Sequence, residues 1–406
     1  MPTCTDVHSW RKATSEEVRD FWTRDRPKPK SKPKSHPPSK RGIVVRTHLR
    51  PVDVYAYLRA RFGKPNGFQN VLRRDDSDNL IHWDFNLKAG LADVYIAGAL
   101  RNVQILTSED LADQDWQQLI LRIKHDFARV AEQKSSMTKS FEKYLVFQNK
   151  FVAIADLCAE MHAAILDAPS SSAELPATTT KRSMRRLQSS LDALSKRANG
   201  LYGHCLTLRL LTPVMAEAFI NMIIVTLCKS HIRNDRLAYE QFIRAKLTTR
   251  LEQLSQNCDG FVDAVNKSTD SYAAFMRVMN ARNFAIHGNV DPVREQIETV
   301  YFEGRRPLFA ANGDNILKLF EHLEQINRPA DVIRDYEAVH SFLHEITTYL
   351  SQKHQTFFEQ VITDPYPGYE VNKKRVTRIL PNHSAGGYME GLRYDDELQG
   401  DWQLKD

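Results

Sequence analysis

The apolar residues change their period once along this chain, and that change limits the fold more than any other feature. Ile81, Trp83, Phe85 and Leu87 alternate with polar residues, the period-two pattern of a strand lying half-buried on a core. Beyond Thr180 the apolar positions recur almost only at helical spacing. Between the two regimes lies PSSSAELPATTT, Pro169 to Thr180, small, polar and proline-containing, which reads as a linker. With 406 residues the chain is long for a single core. An N-terminal α+β domain followed by an all-α helical bundle is therefore expected.

The expected segments are a disordered basic tail over 1–42, the α+β domain over 43–168, a linker over 169–181, the helical bundle over 182–361, and an extended C-terminal tail over 362–406. In the α+β domain, Pro51 to Phe62 is a short helix, and Val94, Ile96, Val103 and Ile105 suggest one or two further strands. His82, beside Trp83, is read on a solvent face. Trp116 to Val130 and Phe147 to Cys158 carry helical spacing. In the bundle, Leu187, Leu191 and Leu194 line a first helix, and Val214 to Leu227 form a second, buried one. Asn234 or Asp235 can cap a third helix, which carries Phe242, Leu247, Leu251 and Leu254. A fourth runs through Phe275, Val278 and Met279 to Gly288. A hairpin, TVYFEGRRPLF, is followed by helical patterns over Ile316 to Ile326 and Tyr336 to Val361.

Charge is unevenly distributed. The chain carries +6, yet residues 1 to 50 hold 13 Lys/Arg against 5 Asp/Glu, a local +8 that leaves the remainder at −2. The stretch RDRPKPKSKPKSHPPSKR, residues 24 to 41, alternates Lys with Pro and has no large apolar side chain to offset the entropy of ordering. It reads either as an electrostatic contact for nucleic acid or as a solubilising tail.

Five scattered cysteines, never spaced C-x-x-C, argue against a disulfide framework or a zinc ribbon and point to a reducing compartment. His204 and Cys205 lack further ligands at zinc spacing. The most apolar run, Pro213 to Cys228, is interrupted by Glu217 and Asn221 and falls short of the roughly 20 residues a bilayer requires. It reads as a core helix, and no apolar stretch near Met1 suggests a secretory signal. A cytoplasmic protein without membrane partners is expected.

No G-x-G-x-x-G, G-x-x-x-x-G-K-[ST], H-E-x-x-H or G-x-S-x-G occurs, so no cofactor is expected. What remains is ARNFAIHGNV, Ala281 to Val290, in which Arg282 precedes His287 at the end of the fourth helix. An arginine followed by histidine after four to six residues occurs five times in the chain. Arg41 and Arg378 lie in tail-like segments, Arg197 crosses a glycine-bearing loop, and Arg334 lacks the neighbouring Asn and Gly. Arg282 alone combines a polar next residue, Asn283, a glycine stop, Gly288, and an interior place in the bundle.

This segment resembles the R-x4-6-H motif of HEPN domains, helical bundles of prokaryotic defence and toxin systems and of some eukaryotic ribonucleases. The resemblance covers roughly residues 182 to 361. It implies a metal-independent RNA endonuclease with Arg282, His287 and Asn283 at the site. Glu217 and Asn221, on the buried helix, agree with the acidic or polar residue that such bundles often carry on an early helix. It also implies RNA as substrate, a homodimer formed through the bundle, and an antitoxin or regulatory protein as a further partner. A toxin or antiphage role follows by analogy alone, with the α+β domain sensing a trigger or positioning substrate.

The residue types suit that chemistry. RNA brings its own nucleophile, the 2′-hydroxyl, so the protein supplies a base, an acid for the leaving 5′-oxygen, and cationic donors for the phosphorane. Histidine titrates near working pH, and arginine presents a charged fork of donors to phosphate. Five residues along a straight helix turn a side chain through about 140°. Arg282 and His287 then diverge unless the last turn distorts or two protomers pool their residues. Other readings of the same residues are structural: His287 closing a helix C-terminus, Arg282 in a surface ion pair, Glu217 satisfied by a neighbouring Arg. A non-catalytic HEPN scaffold that binds RNA, nucleotide or a partner protein, and a regulator dominated by the basic tail, are the alternative functions.

Overall fold

A computed structural model of the chain describes residues 3–23, 40–69, 79–168, 181–286, 292–293, 296, 298–310, 328–380 and 392–404. The chain forms two compact units, one of residues 1–143 with 379–406 and one of residues 144–378.

In the first unit the alternating segments become strands. β1 (Arg11–Lys12), β2 (Gly42–Val45), β3 (Trp83–Ala89), β4 (Ala92–Ala99) and β5 (Asn102–Thr107) join one mixed sheet, together with Arg393–Tyr394 from the far end of the chain. β3 and β4 pair antiparallel from Trp83↔Gly98 to Ala89↔Ala92. A Cβ added at Gly98 would sit 2.1 Å from the Trp83 indole, so only glycine fits opposite that tryptophan. Alternation along the register puts Phe85, Leu87, Val94, Ile96, Val103 and Ile105 on one face. Against that face pack α2 (Pro51–Phe62) and α3 (Asp113–Asp126), through Tyr57, Leu58, Trp116 and Leu119. α1 (Ser15–Thr23) takes the opposite face, through Phe21 against Tyr95 and Ala97. α2 begins at Pro51, whose ring presets the helical φ, and stops at Gly63, whose φ of 77° suits glycine. α4 (Ala131–Ser140) completes the unit's helices downstream of α3.

Three expectations change here. The strand Trp83–Ala89 is not half-buried: Asp84, Asn86 and Lys88, on its polar face, are each less than a tenth exposed. That face is closed by Phe21 of α1, stacked on Tyr95, and Lys88 is neutralised by Asp93 at 2.6 Å. His82 is half-buried as well, and burial pushes its imidazole pKa down. Residues 3–23 do not belong to a tail. β1 pairs with β3, and Cys4, Val7 and Trp10 enter the core. Most of the lysine–proline stretch, 24–39, lies outside the described residues.

The C-terminal segment is not merely extended over the surface either. Arg393–Tyr394 pair in parallel with β2, and Asp395 is fully buried. Its carboxylate accepts from the Arg46, Thr47 and His48 amides, from Thr47 Oγ1 at 2.6 Å, and pairs with His48 Nδ1 at 3.0 Å. His48 in turn stacks on Trp402.

The second unit is mostly helical and starts earlier than the Pro169–Thr180 segment, which lies outside the described residues. Its first strand, β6 (Tyr144–Val146), pairs with Gly368–Glu370, itself paired with Arg375–Thr377. α5 (Lys150–Leu166) follows, capped by the Asn149 side chain, which accepts from the Phe151 amide and donates to the Ile362 and Asp364 carbonyls. α6 (Lys181–Leu227) is one helix where two were expected, so Arg197 lies within a helix and not in a loop. Gly200 and Gly203 each cost only about 1 kcal/mol in a helix interior, and Pro213 removes one hydrogen bond. Burial of Leu208, Met215, Phe219, Ile220 and Ile223 outweighs both. By length and composition a stretch of α6 could cross a membrane, but 61% of that window is buried, as in a core helix of a soluble domain.

Three short helices follow: α7 (Ser230–Asn234), α8 (Arg236–Arg244) and α9 (Leu247–Asn257). Asp235 caps α8 by accepting from the Leu237 and Ala238 amides, as expected, but the expected third helix breaks at Ala245–Lys246. α10 (Asp270–Ile286) carries Phe275, Val278 and Met279 into the core against α11 (Pro329–Thr348), and α12 (Gln352–Ile362) adds Phe358 and Val361. The hairpin forms between Val300–Glu303 and Arg306–Phe309. Ile316 to Ile326 lies outside the described residues.

Candidate functional site

Three helices of the second unit bring four polar side chains together. α6 offers Glu217 and Asn221, one turn apart and so on one face. α9 offers Arg250 from within the apolar stripe of Leu247, Leu251 and Leu254, and α10 offers Arg282. Arg282 Nη1 donates to Glu217 Oε1 at 2.8 Å, while Arg250 Nη2 reaches Glu217 Oε2 at 3.5 Å. Arg250 Nη1 donates to Asn221 Oδ1 at 2.6 Å.

Burial grades the cluster. The side chain of Arg250 is 7% exposed, that of Arg282 26% and that of Glu217 34%. A guanidinium as buried as Arg250 is tolerable only with partners, and Glu217 and Asn221 are those partners. Arg282 stands nearer the solvent. Among the described residues, both arginine Nε atoms are buried without a hydrogen-bond partner. Among the described residues, two guanidiniums share the one carboxylate of Glu217, and Arg282 and Glu217 are both partly exposed.

Of the residues singled out from the sequence, Arg282 and Glu217 meet directly, and Asn221 joins them through Arg250. Asn283 continues α10 after Arg282. His287 and Gly288 lie outside the described residues. Glu217 turns both its oxygens toward arginines, which makes it a group that orients Arg282. Arg250 is absent from the residues that sequence reasoning selects, although a charged residue set inside an apolar helical stripe is the signal that marks it.

Other polar clusters are built into each unit. In the first, Tyr57 and Arg61 both donate to Asp126 Oδ2, at 2.6 and 2.8 Å, and burial raises the tyrosine pKa. In the second, His162 and His340 flank the Tyr336 ring. Burial, then the facing His162, push the pKa of His340 down. Cys205 is fully buried on α6. Among the described residues no group of three or more His, Cys, Asp and Glu is placed to hold a metal ion.

The chain matches no protein-family model, no curated protein and no solved structure.

Proposed function

We propose that the helical unit is an RNA endonuclease of the HEPN type that works without a metal. The observation that carries this reading is the 2.8 Å bond from Arg282, the arginine of the motif, to Glu217, beside a second guanidinium at Arg250. Arg282 is thereby oriented while still partly exposed, which suits an arginine that is to meet a phosphate.

In this reading Arg282 donates to the non-bridging oxygens of the scissile phosphate, and Glu217 holds the guanidinium in place. His287 takes the proton of the 2′-hydroxyl. The hydroxyl oxygen attacks phosphorus, and a protonated imidazole returns a proton to the departing 5′-oxygen, leaving a 2′,3′-cyclic phosphate and a 5′-hydroxyl. One motif histidine per chain cannot easily be base and acid at once in a single turnover, so in this reading two chains share the cleft.

Incubation of the purified chain with mixed RNA in EDTA tests the reading. Fragments ending in 2′,3′-cyclic phosphate are expected, and Arg282→Ala and His287→Ala are expected to abolish them. A parent chain that EDTA silences, or a His287→Ala chain that cleaves like the parent, would overturn it. The pairing of both Glu217 oxygens favours one alternative, a scaffold that binds RNA or nucleotide without cleaving it. That alternative gives RNA binding, lost in Arg282→Ala, with no fragments.

A further inference from the structure

Cys228 follows the last residue of α6, and Cys258 follows the last residue of α9. Thirty positions apart in sequence, they stand directly opposite each other in an isolated antiparallel bridge. The bridge is closed by its neighbours: the Lys229 amide donates to the Asn257 carbonyl at 2.9 Å, and the Asp259 amide to the Leu227 carbonyl at 2.7 Å. That pattern makes the cysteines a non-hydrogen-bonded pair. In such a pair the Cα atoms lie about 4.5 Å apart and the side chains leave on the same side. A disulfide spans Cα separations of about 4.4 to 6.8 Å, so the backbone already meets its requirement.

Both thiols are free and 1% exposed. Cys228 Sγ stands 3.8 Å from the Lys229 carbonyl, a weak interaction that an exchange reaction would readily displace. The surrounding backbone is held in register by Lys229 Nζ on the Gln256 carbonyl and Arg233 Nη2 on the Cys228 carbonyl, at 2.6 and 2.5 Å.

We propose that Cys228 and Cys258 are a modification site: they form a reversible disulfide in the folded chain, with a small-molecule disulfide such as oxidised glutathione as oxidant. One cysteine, deprotonated, attacks a glutathione sulfur and releases the first glutathione thiol. The second cysteine, deprotonated in turn, attacks the protein sulfur of that mixed disulfide and releases the second. The two cysteines lose two protons and two electrons, and oxidised glutathione becomes two thiols.

Burial raises both thiol pKa values. Exchange therefore waits for local opening of the bridge, and both formation and reduction run over minutes to hours. The bond fastens α9, which carries Arg250, to the end of α6, which carries Glu217 and Asn221. The cross-link does not depend on whether that cluster cleaves RNA.

The test is peptide mapping of the full chain after treatment with oxidised glutathione under native conditions. Loss of two thiols is expected, with one linked pair joining the Cys228 and Cys258 peptides, reversed by dithiothreitol. The melting temperature of the oxidised chain is expected to rise by roughly 5 to 10 °C, because the cross-link restricts the unfolded chain. Cys228→Ala, which keeps the buried position apolar, is expected to show neither effect. A lasting glutathione adduct on either cysteine, linkage to a different cysteine, no loss of thiols in the folded parent, or a cross-linked chain that melts lower would each overturn the proposal.

Discussion

Arg282 Nη1 and Glu217 Oε1 meet at 2.8 Å although the two residues are 65 positions apart, on helices α10 and α6. The bond ties the motif arginine to the central helix of its unit's core. Whatever the arginine binds outside, its position is set by that carboxylate. The carboxylate is also the countercharge of Arg250, so its removal has two separable effects, one on the stability of the unit and one on the placement of Arg282.

The first effect is on stability. Glu217→Ala leaves Arg250 buried with, among the described residues, Asn221 as its remaining partner, and a cost of about 2 to 4 kcal/mol is expected in urea unfolding. Arg250→Met in the same chain is expected to recover most of that loss, because a side chain of similar length then fills the stripe between Leu247 and Leu251. If Glu217→Ala unfolds at the parent's midpoint, Arg250 does not rely on the carboxylate.

Stoichiometry tests the shared cleft. On mixing parent with His287→Ala under conditions of subunit exchange, activity per total protein is expected to fall as the square of the parent fraction, since only parent homodimers cleave. A linear fall would mean that each chain works alone.

The lysine–proline segment can be tested only without disturbing the residues before it. Deleting residues 1–41 would remove β1 and the buried Val7 and Trp10, so it reports on folding. Replacing Lys28, Lys30, Lys32 and Lys34 by Ser leaves the sheet whole. Each RNA phosphate that these lysines neutralise in the parent contributes roughly 0.7 to 0.9 to the slope of log K against log[salt], and the slope is expected to flatten by that amount per phosphate. An unchanged slope would assign the segment a solubilising role.

Acid should loosen the C-terminal segment. Burial alone would raise the carboxyl pKa of Asp395, but the Arg46 amide, the Thr47 hydroxyl and His48 outweigh it, and the net shift is downward. A carboxyl depressed by folding contributes stability above its unfolded value, about 3.9, and loses it as pH falls through the folded value. Unfolding midpoints of the parent are therefore expected to drop below about pH 4. Asp395→Asn is expected to be less stable at neutral pH and to lose that part of the acid dependence. Parallel pH profiles for the two chains would sink the assignment.

Local chemistry was legible in the sequence wherever neighbours along the chain decide the conformation. The helix from Pro51 to Phe62, the Asp235 cap and the Val300–Phe309 hairpin all follow from residues within a few positions of one another. The candidacy of Arg282 and Glu217 came instead from the resemblance of their segments to HEPN bundles. Interactions between distant segments were not legible, because burial is decided by what packs on a face and not by the face's own pattern. The polar side of β3 is covered by α1, and Asp395 is drawn under the loop after β2. Gly200, Gly203 and Pro213 look like breaks, yet core packing along α6 carries the helix through them. Periodicity marked the principal strands and helices, but not the strands β1 and β6 or the unbroken course of α6. Only the tertiary structure decided that Arg250 completes the Glu217–Arg282 pair, because a buried guanidinium must find its countercharge wherever the packed helices present one.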